Sequence, residues 1–348
     1  MSKKIVLVFL AFLVGFIFEA IPTDSEAMPY FSRRVAKDCS YCHSSFPKLN
    51  ETGRVFKSNG YRFAENTGEG EWTEVKDWAA IPLSMEIEVE GEYDSKEDGA
   101  GNVTRKTELK IEEVEFISGG VIGKNGKISY LGVVGVEQHG DGTIEAFMGP
   151  AFIQVNDLFT PEGEGYLNLK AGQWSIGLPF LSHDQRVVKN KYLADTALGV
   201  LTHEQRSVEL NGQIVGAEDS MMPTHRYYLG LTREEVSENG NGDTVETDPM
   251  KGWYATYSAT FKEKYNFGLI YRYTEEAVGT VVGDLDIDQS HKYGLAVESK
   301  FGPVELTAGY FIADGKNGKT GGEDFTNYMV EARYKATKKI VLGARYDV

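Results

Sequence analysis

Cysteine is almost missing from this chain: 348 residues contain two, and both lie in the pentapeptide Cys39-Ser40-Tyr41-Cys42-His43. A zinc site is thereby short of ligands, because four are needed and no second Cys/His cluster exists. Long hydrophobic runs are missing too. No segment after residue 27 approaches the ~18 apolar residues of a membrane helix, so any passage through a membrane must be made by a barrel. Positive charge is scarce, with 36 Lys and Arg against 52 Asp and Glu and a net charge of −16. A chain this acidic is excluded as a nucleic-acid binder, which needs clustered Lys and Arg. Proline is sparse at 10 residues, whereas 39 glycines, 19 tyrosines and 18 phenylalanines point to strands and turns.

The pentapeptide reads as a covalent haem site. Two thiols three positions apart on one turn of chain can each close a thioether on a haem vinyl, and the adjacent His43 is then carried under the porphyrin as axial iron ligand. Redox dithiols share the Cys-x-x-Cys spacing, so a disulfide and other metal binding stay open from these residues alone. The N-terminus agrees with attachment outside the cytoplasm. Ser2-Lys3-Lys4 is a short basic head and Ile5 to Phe18 an apolar stretch too short for a span. Ser25-Glu26-Ala27 offers a cleavage site, making residues 1–27 a signal peptide and Met28 the first mature residue; its removal takes two lysines and three acids and leaves −15.

Residues 28–75 form the first unit. After Pro47, Leu49, Gly53, Phe56 and Gly60 recur near helical spacing, which predicts one short amphipathic helix with Pro47 in its first turn, ending at Asn59-Gly60. So short a segment cannot enclose a haem by itself. The second unit, 76–348, supplies the enclosure. Ile81, Leu83, Met85, Ile87 and Val89 alternate with Ser84, Glu86, Glu88, Glu90 and Glu92, a strand with one apolar and one acidic face. Period-two segments follow near 104–117, 127–138, 143–155, 165–176, 207–217, 225–235, 252–263, 265–275, 290–300, 302–313, 325–336 and 339–348, and 177–206 has room for one more. In the C-terminal half long connections (236–251, 276–289, 314–324) alternate with tight ones at Lys262-Glu263-Lys264, Gly302-Pro303 and Lys335 to Lys339. That rhythm belongs to outer-membrane barrels rather than to soluble sandwiches. The fold class expected is all-β: an antiparallel outer-membrane barrel of roughly 14–16 strands when complete, with a short helical haem plug. The last strand follows a tight turn and ends on Val348, which suggests a C-terminally incomplete barrel.

Met28-Pro29-Tyr30-Phe31-Ser32-Arg33-Arg34, the Cys39 to His43 motif, Phe46-Pro47-Lys48-Leu49-Asn50, Gly53, Phe56, Gly60 and Tyr61 together resemble the N-terminal segment of fused monohaem cytochrome–porins, a group that includes outer-membrane iron oxidases. Leu169 to Trp174 followed by Leu178-Pro179-Phe180 looks like the barrel of phosphate-selective-type porins. The resemblance implies one covalent haem c on Cys39, Cys42 and His43, held in a porin lumen. It implies electron transfer across the outer membrane, from an extracellular donor such as Fe(II) to a periplasmic c-type cytochrome, and so a possible Fe(II):cytochrome c oxidoreductase. Met28 is a candidate second axial ligand; Met85, His139, His183, His203, His225 and His291 are others. Glu86, Glu88, Glu90 and Glu92 would face the lumen and attract cations. Two other classes remain: a solute porin with a haem-bearing plug, and a soluble periplasmic cytochrome on a β-domain.

Overall fold

The computed structural model describes residues 30–32, 37–63, 82–97, 103–122, 126–139, 142–186, 191–216, 222–233, 251–278, 286–316, 324–337 and 340–348. The predicted signal peptide, Met28 and the boundary near residue 75 lie outside these. The N-terminal segment folds as a turn at Cys39–Tyr41, a two-stranded ladder of β1 (His43–Ser45) with β2 (Lys48–Leu49), and helix α1 (Glu51–Ser58). The expected helix is present but starts later. Asn50 caps it by accepting from Gly53 N at 3.0 Å, a stronger start than Pro47, which lies outside the helix. Gly60, at φ 68°, lets the chain turn away beyond the Asn59 cap.

Thirteen strands then form one antiparallel meander in which every neighbour in sequence is a neighbour in the sheet. They are β3 (Ser84–Glu97), β4 (Val103–Ile122), β5 (Ile128–Gln138), β6 (Ile144–Val155), β7 (Asn168–Ile176), β8 (Thr202–Ile214), β9 (Thr224–Thr232), β10 (Gly252–Phe261), β11 (Tyr265–Val278), β12 (Asp286–Phe301), β13 (Val304–Lys316), β14 (Asp324–Lys335) and β15 (Val341–Asp347). The period-two pattern carries directly into burial. On β12, Ala296 and Glu298 are buried while Tyr293, Leu295 and Val297 are exposed; on β9, Arg226, Gly230 and Thr232 are buried while Leu229 and Leu231 are exposed. The exposed set is apolar on strand after strand, including Met85, Ile87, Val89, Leu109, Val134, Ile153, Leu306, Val330 and Leu342. Water does not tolerate so continuous an apolar belt, whereas lipid does.

The polar face looks inward. Ser84 of β3, Ser129 of β5, Gln213 of β8, Tyr228 of β9, Glu298 of β12 and Lys335 of β14 each contact residues 30–63 directly, so the sheet curls around that segment. The sheet is a barrel wall and the N-terminal segment lies in its lumen. Among the described residues no ladder joins β3 to β15, and the thirteen strands are one below the expected range.

Residues 177–186 and 191–201 correct the expectation of a further strand. They fold into the lumen as an apolar knot in which Leu178, Phe180, Leu181, Tyr192, Ala194, Val200 and Leu201 pack against Tyr254, Ile270, Ala296, Phe311 and Met329 of the wall. Pro179 and the tight Leu178–Leu181 pairing prevent a continued ladder there. This connection emerges at the end of the long loops. The tight connections, 262–264 and 302–303, lie at the other end, which in such barrels faces the periplasm. The connection 156–167 at that end is long because it wraps the plug: Asp157 pairs with Arg62 at 2.5 Å and accepts from Gly163 and Gly165 N.

The β10–β11 turn contains a local conflict. Lys262 and Glu263 both have positive φ, 49° and 55°, a conformation that favours Asn and Gly. Glu263→Gly is expected to stabilise the barrel by about 1 kcal/mol, since it removes the left-handed penalty of a side-chain-bearing residue. Urea unfolding in detergent micelles, followed by loss of heat-modifiable mobility, checks it.

Candidate functional site

The Cys39 to His43 motif sits at the short-turn mouth, on a frame made by its own neighbours. Cys42 N donates to Cys39 O at 3.2 Å, and Asn50 ties the motif to α1 through its N–H to Cys42 O at 2.9 Å and its Nδ2 to Tyr41 O at 2.9 Å. Gly53 is required by this contact: a Cβ there would stand 2.2 Å from Cys42 O, so only glycine lets α1 lie against the motif. Cys39 and Cys42 are not joined in a disulfide, and each is partly exposed. Burial, and secondarily Cys39, pushes the Cys42 thiol up to about 11, so it is protonated at neutral pH.

His43 is held through Nδ1, 3.1 Å from Pro47 O. A carbonyl can only accept, so this contact places the proton on Nδ1 and leaves the Nε2 lone pair free for a metal. Burial lowers the imidazole pKa, which keeps the ring neutral and competent to ligate. The residues therefore fit a c-type haem: two thiols outside any disulfide, an oriented neutral imidazole, and rings that can pack on a porphyrin. Those rings continue inward. Tyr41 meets Phe63 at 5.8 Å, Phe63 meets Phe56 at 4.9 Å, Phe56 meets Phe31 at 5.4 Å and Phe31 stacks on Tyr61 at 4.9 Å. Tyr61 then meets Phe152 at 6.2 Å, Phe152 meets Trp174 at 5.9 Å, and Trp174 Nε1 donates to Tyr254 Oη at 3.3 Å.

What fixes the plug is a buried ion cluster that sequence reading missed. Glu298 on β12 binds Lys48, Arg54 at 3.2 Å and Arg333 at 3.0 Å, all of them nearly inaccessible. Glu51 bonds Arg226 of β9 at 2.6 Å and Arg54 at 3.3 Å. Leu49 N donates to Gln185 Oε1 at 2.8 Å and Lys57 lies 3.5 Å from Asp184, so plug and inward loop meet. The signal available beforehand was a charged residue on the lumen phase of a strand, which alone looks like ordinary solvated polarity.

The other candidate ligands are dispersed. Met85 points outward, His139 is exposed beside Glu145, His183 bonds Asp195 at 2.7 Å, and His225 and His291 bond Tyr257 and Tyr271 on the outer face. Glu86 and Glu88 lie on the lumen phase and register opposite Glu115 and Glu113, with a bulge after Glu88. The Glu90 and Glu92 side chains lie outside the described residues. Among the described residues no three His, Cys, Asp or Glu groups converge to hold a metal ion.

No protein-family model and no curated protein sequence matches the chain. Solved structures do. The anion-selective porin from Comamonas acidovorans aligns with TM-score 0.50 at 11% identity over 76% of this chain and 78% of that one. OmpT, an outer membrane protein of Vibrio cholerae, aligns at 14% identity with TM-score 0.41 over 76% of this chain and 84% of its own. The fold is that of an outer-membrane porin barrel.

Two outcomes test the site. Glu298→Ala leaves three buried cations without their shared carboxylate and is expected to cost about 3–5 kcal/mol; trypsin should then cut the folded barrel at Lys48 and Arg54, which the wild type protects. Iodoacetamide at pH 8 should label Cys42 of the haem-free chain roughly tenfold more slowly than an ordinary thiol, the scarcer thiolate being partly offset by its nucleophilicity. Mass spectrometry of the labelled peptides reads it.

Proposed function

We propose that the chain is an outer-membrane barrel whose N-terminal plug carries one covalent haem c and passes electrons inward across the membrane to a periplasmic c-type cytochrome. The observation that carries this reading is the seating of Cys39, Cys42 and His43 in the lumen mouth, with His43 Nε2 left free by the Pro47 carbonyl. Cys39 and Cys42 would hold the haem through thioethers and His43 would ligate its iron. When bound, the haem supplies a one-electron carrier. The chain's own residues do the rest: Asn50 and Gly53 fix the motif against α1, Glu298 and Arg226 fix the plug in the wall, and the aromatic rings exclude water on its inner side. The acidic phase formed by Glu86, Glu88, Glu113 and Glu115 favours a cationic donor such as Fe(II) over an anionic one.

A second reading, solute diffusion through a porin with a haem-bearing plug, is favoured by the barrel's likeness to a solute porin. The two differ in the lumen. Residues 37–63 fill one end and the 177–201 loop folds in from the other, and they touch at Gln185 and Asp184. In planar bilayers the intact protein is expected to conduct no more than background ion current, and deletion of residues 30–63 to raise the conductance above it. Large conductance from the intact chain would establish the porin reading instead. For the haem itself, Cys39→Ser with Cys42→Ser should abolish haem staining on a denaturing gel while the barrel still shifts mobility on boiling. His43→Ala should keep the stain and change the Soret spectrum.

A further inference from the structure

The short-turn mouth has two halves of opposite charge. Beside the motif, Tyr41 is 40% and Phe46 44% exposed, a pair of aromatic faces open to water. Lysines surround them. Lys37 Nζ lies 5.3 Å from the Tyr41 ring centre, and Lys335 Nζ donates to Ser44 O at 3.2 Å. Lys264 and Lys300, joined by a backbone hydrogen bond of 2.9 Å, line one shallow cleft together with Ser44. Lys262 stands exposed at the tip of the adjoining β10–β11 turn. Of the acids here, Glu305 pairs with Arg333 at 3.1 Å and Lys300 at 3.8 Å, while Asp38 and Glu263 stand exposed and are outnumbered by the lysines. Across the mouth, Glu162 and Glu164 are exposed on the 156–167 connection. In a chain carrying 52 acids against 36 bases, this grouping of five lysines around two exposed aromatics runs against the overall charge.

We propose that this patch docks a soluble periplasmic redox protein through an acidic face. An apolar centre with a charged rim is the anatomy of a transient interface, in which the rim steers encounter and sets orientation. The strained Lys262-Glu263 turn, kept where Asn-Gly would relax it, holds a lysine outward at that rim. The patch is centred on Ser44 inside the mouth, not on the apolar outer belt, so a protein face reaches it better than a lipid headgroup layer. The redox purpose rests on the haem reading above; the docking itself does not.

The test uses the full chain in detergent micelles and, as probe, a cytochrome c whose surface lysines have been succinylated, with the unmodified basic protein as counter-probe. Binding is read by interferometry at low and high ionic strength. The acidic probe is expected to bind at low salt and to release at high salt, and the basic one not to bind. Reversing Lys262, Lys264 and Lys335 to Glu should weaken binding about tenfold or more, whereas Lys127→Glu on the opposite half should leave it unchanged. Heat-modifiable mobility verifies that each variant is folded. Equal binding of both probes, or an undiminished affinity in the triple variant, overturns the proposal, and displacement of the probe by phosphatidylglycerol vesicles would reassign the patch to lipid. The Cys39→Ser, Cys42→Ser chain should bind the probe as the wild type does, so docking can stand even where the haem reading fails.

Discussion

Glu298 is the point on which the interior depends. Its carboxylate is buried in the barrel wall with Lys48 and Arg54 from the plug and Arg333 from β14. Buried charges are tolerable only with partners in place, and here neither side can supply all of them alone. The wall without the plug would leave Glu298 with one cation and Arg226 without Glu51; the plug without the wall would take Lys48 and Arg54 back to water. Seating is therefore an all-or-nothing event, and it determines where the Cys39 to His43 motif ends up. Arg62 repeats the logic further along, bonded to Asp157 and to the Gly126 carbonyl.

The porin-like wall carries two segments inside it. The lumen is filled from the tight-turn end by a polar-anchored plug and from the long-loop end by an apolar knot whose core is Leu178, Phe180, Tyr192 and Leu201. The first is held by directional, charged contacts, the second by burial of apolar surface. The two meet at Gln185 with Leu49 and Asp184 with Lys57. The motif is left at the tight-turn mouth, where Tyr41 and Phe46 remain exposed while Phe56, Tyr61 and Phe152 close the inner side. Exposure on one side and aromatic packing on the other would suit the proposed electron carrier.

The strands were legible in the sequence because alternation is a local property: each apolar residue from Met85 to Val348 marks its face without reference to any other strand. The Cys39 to His43 motif was legible for the same reason, as was the tight and long rhythm of the connections. The 177–201 segment was not. Its apolar residues, Leu178, Phe180, Leu181 and Leu201, have the composition of a strand, and only the presence of a lumen to fill turns them into an internal knot. Glu298, Arg226 and Arg333 carry no local signal that sets them apart from ordinary lumen polarity, since their partners lie far away in sequence.

By itself, then, the sequence determined the class of the protein, a meander of two-faced strands preceded by a thiol pair and a histidine, because periodicity and spacing act over a few residues. Only the tertiary structure decided that the plug enters the lumen, that Pro47 orients His43, that Gly53 yields space to Cys42, and that lysines from three separate turns gather around Ser44. Those are juxtapositions of residues distant in the chain, and they exist only once the wall has curled and its buried charges have found their partners.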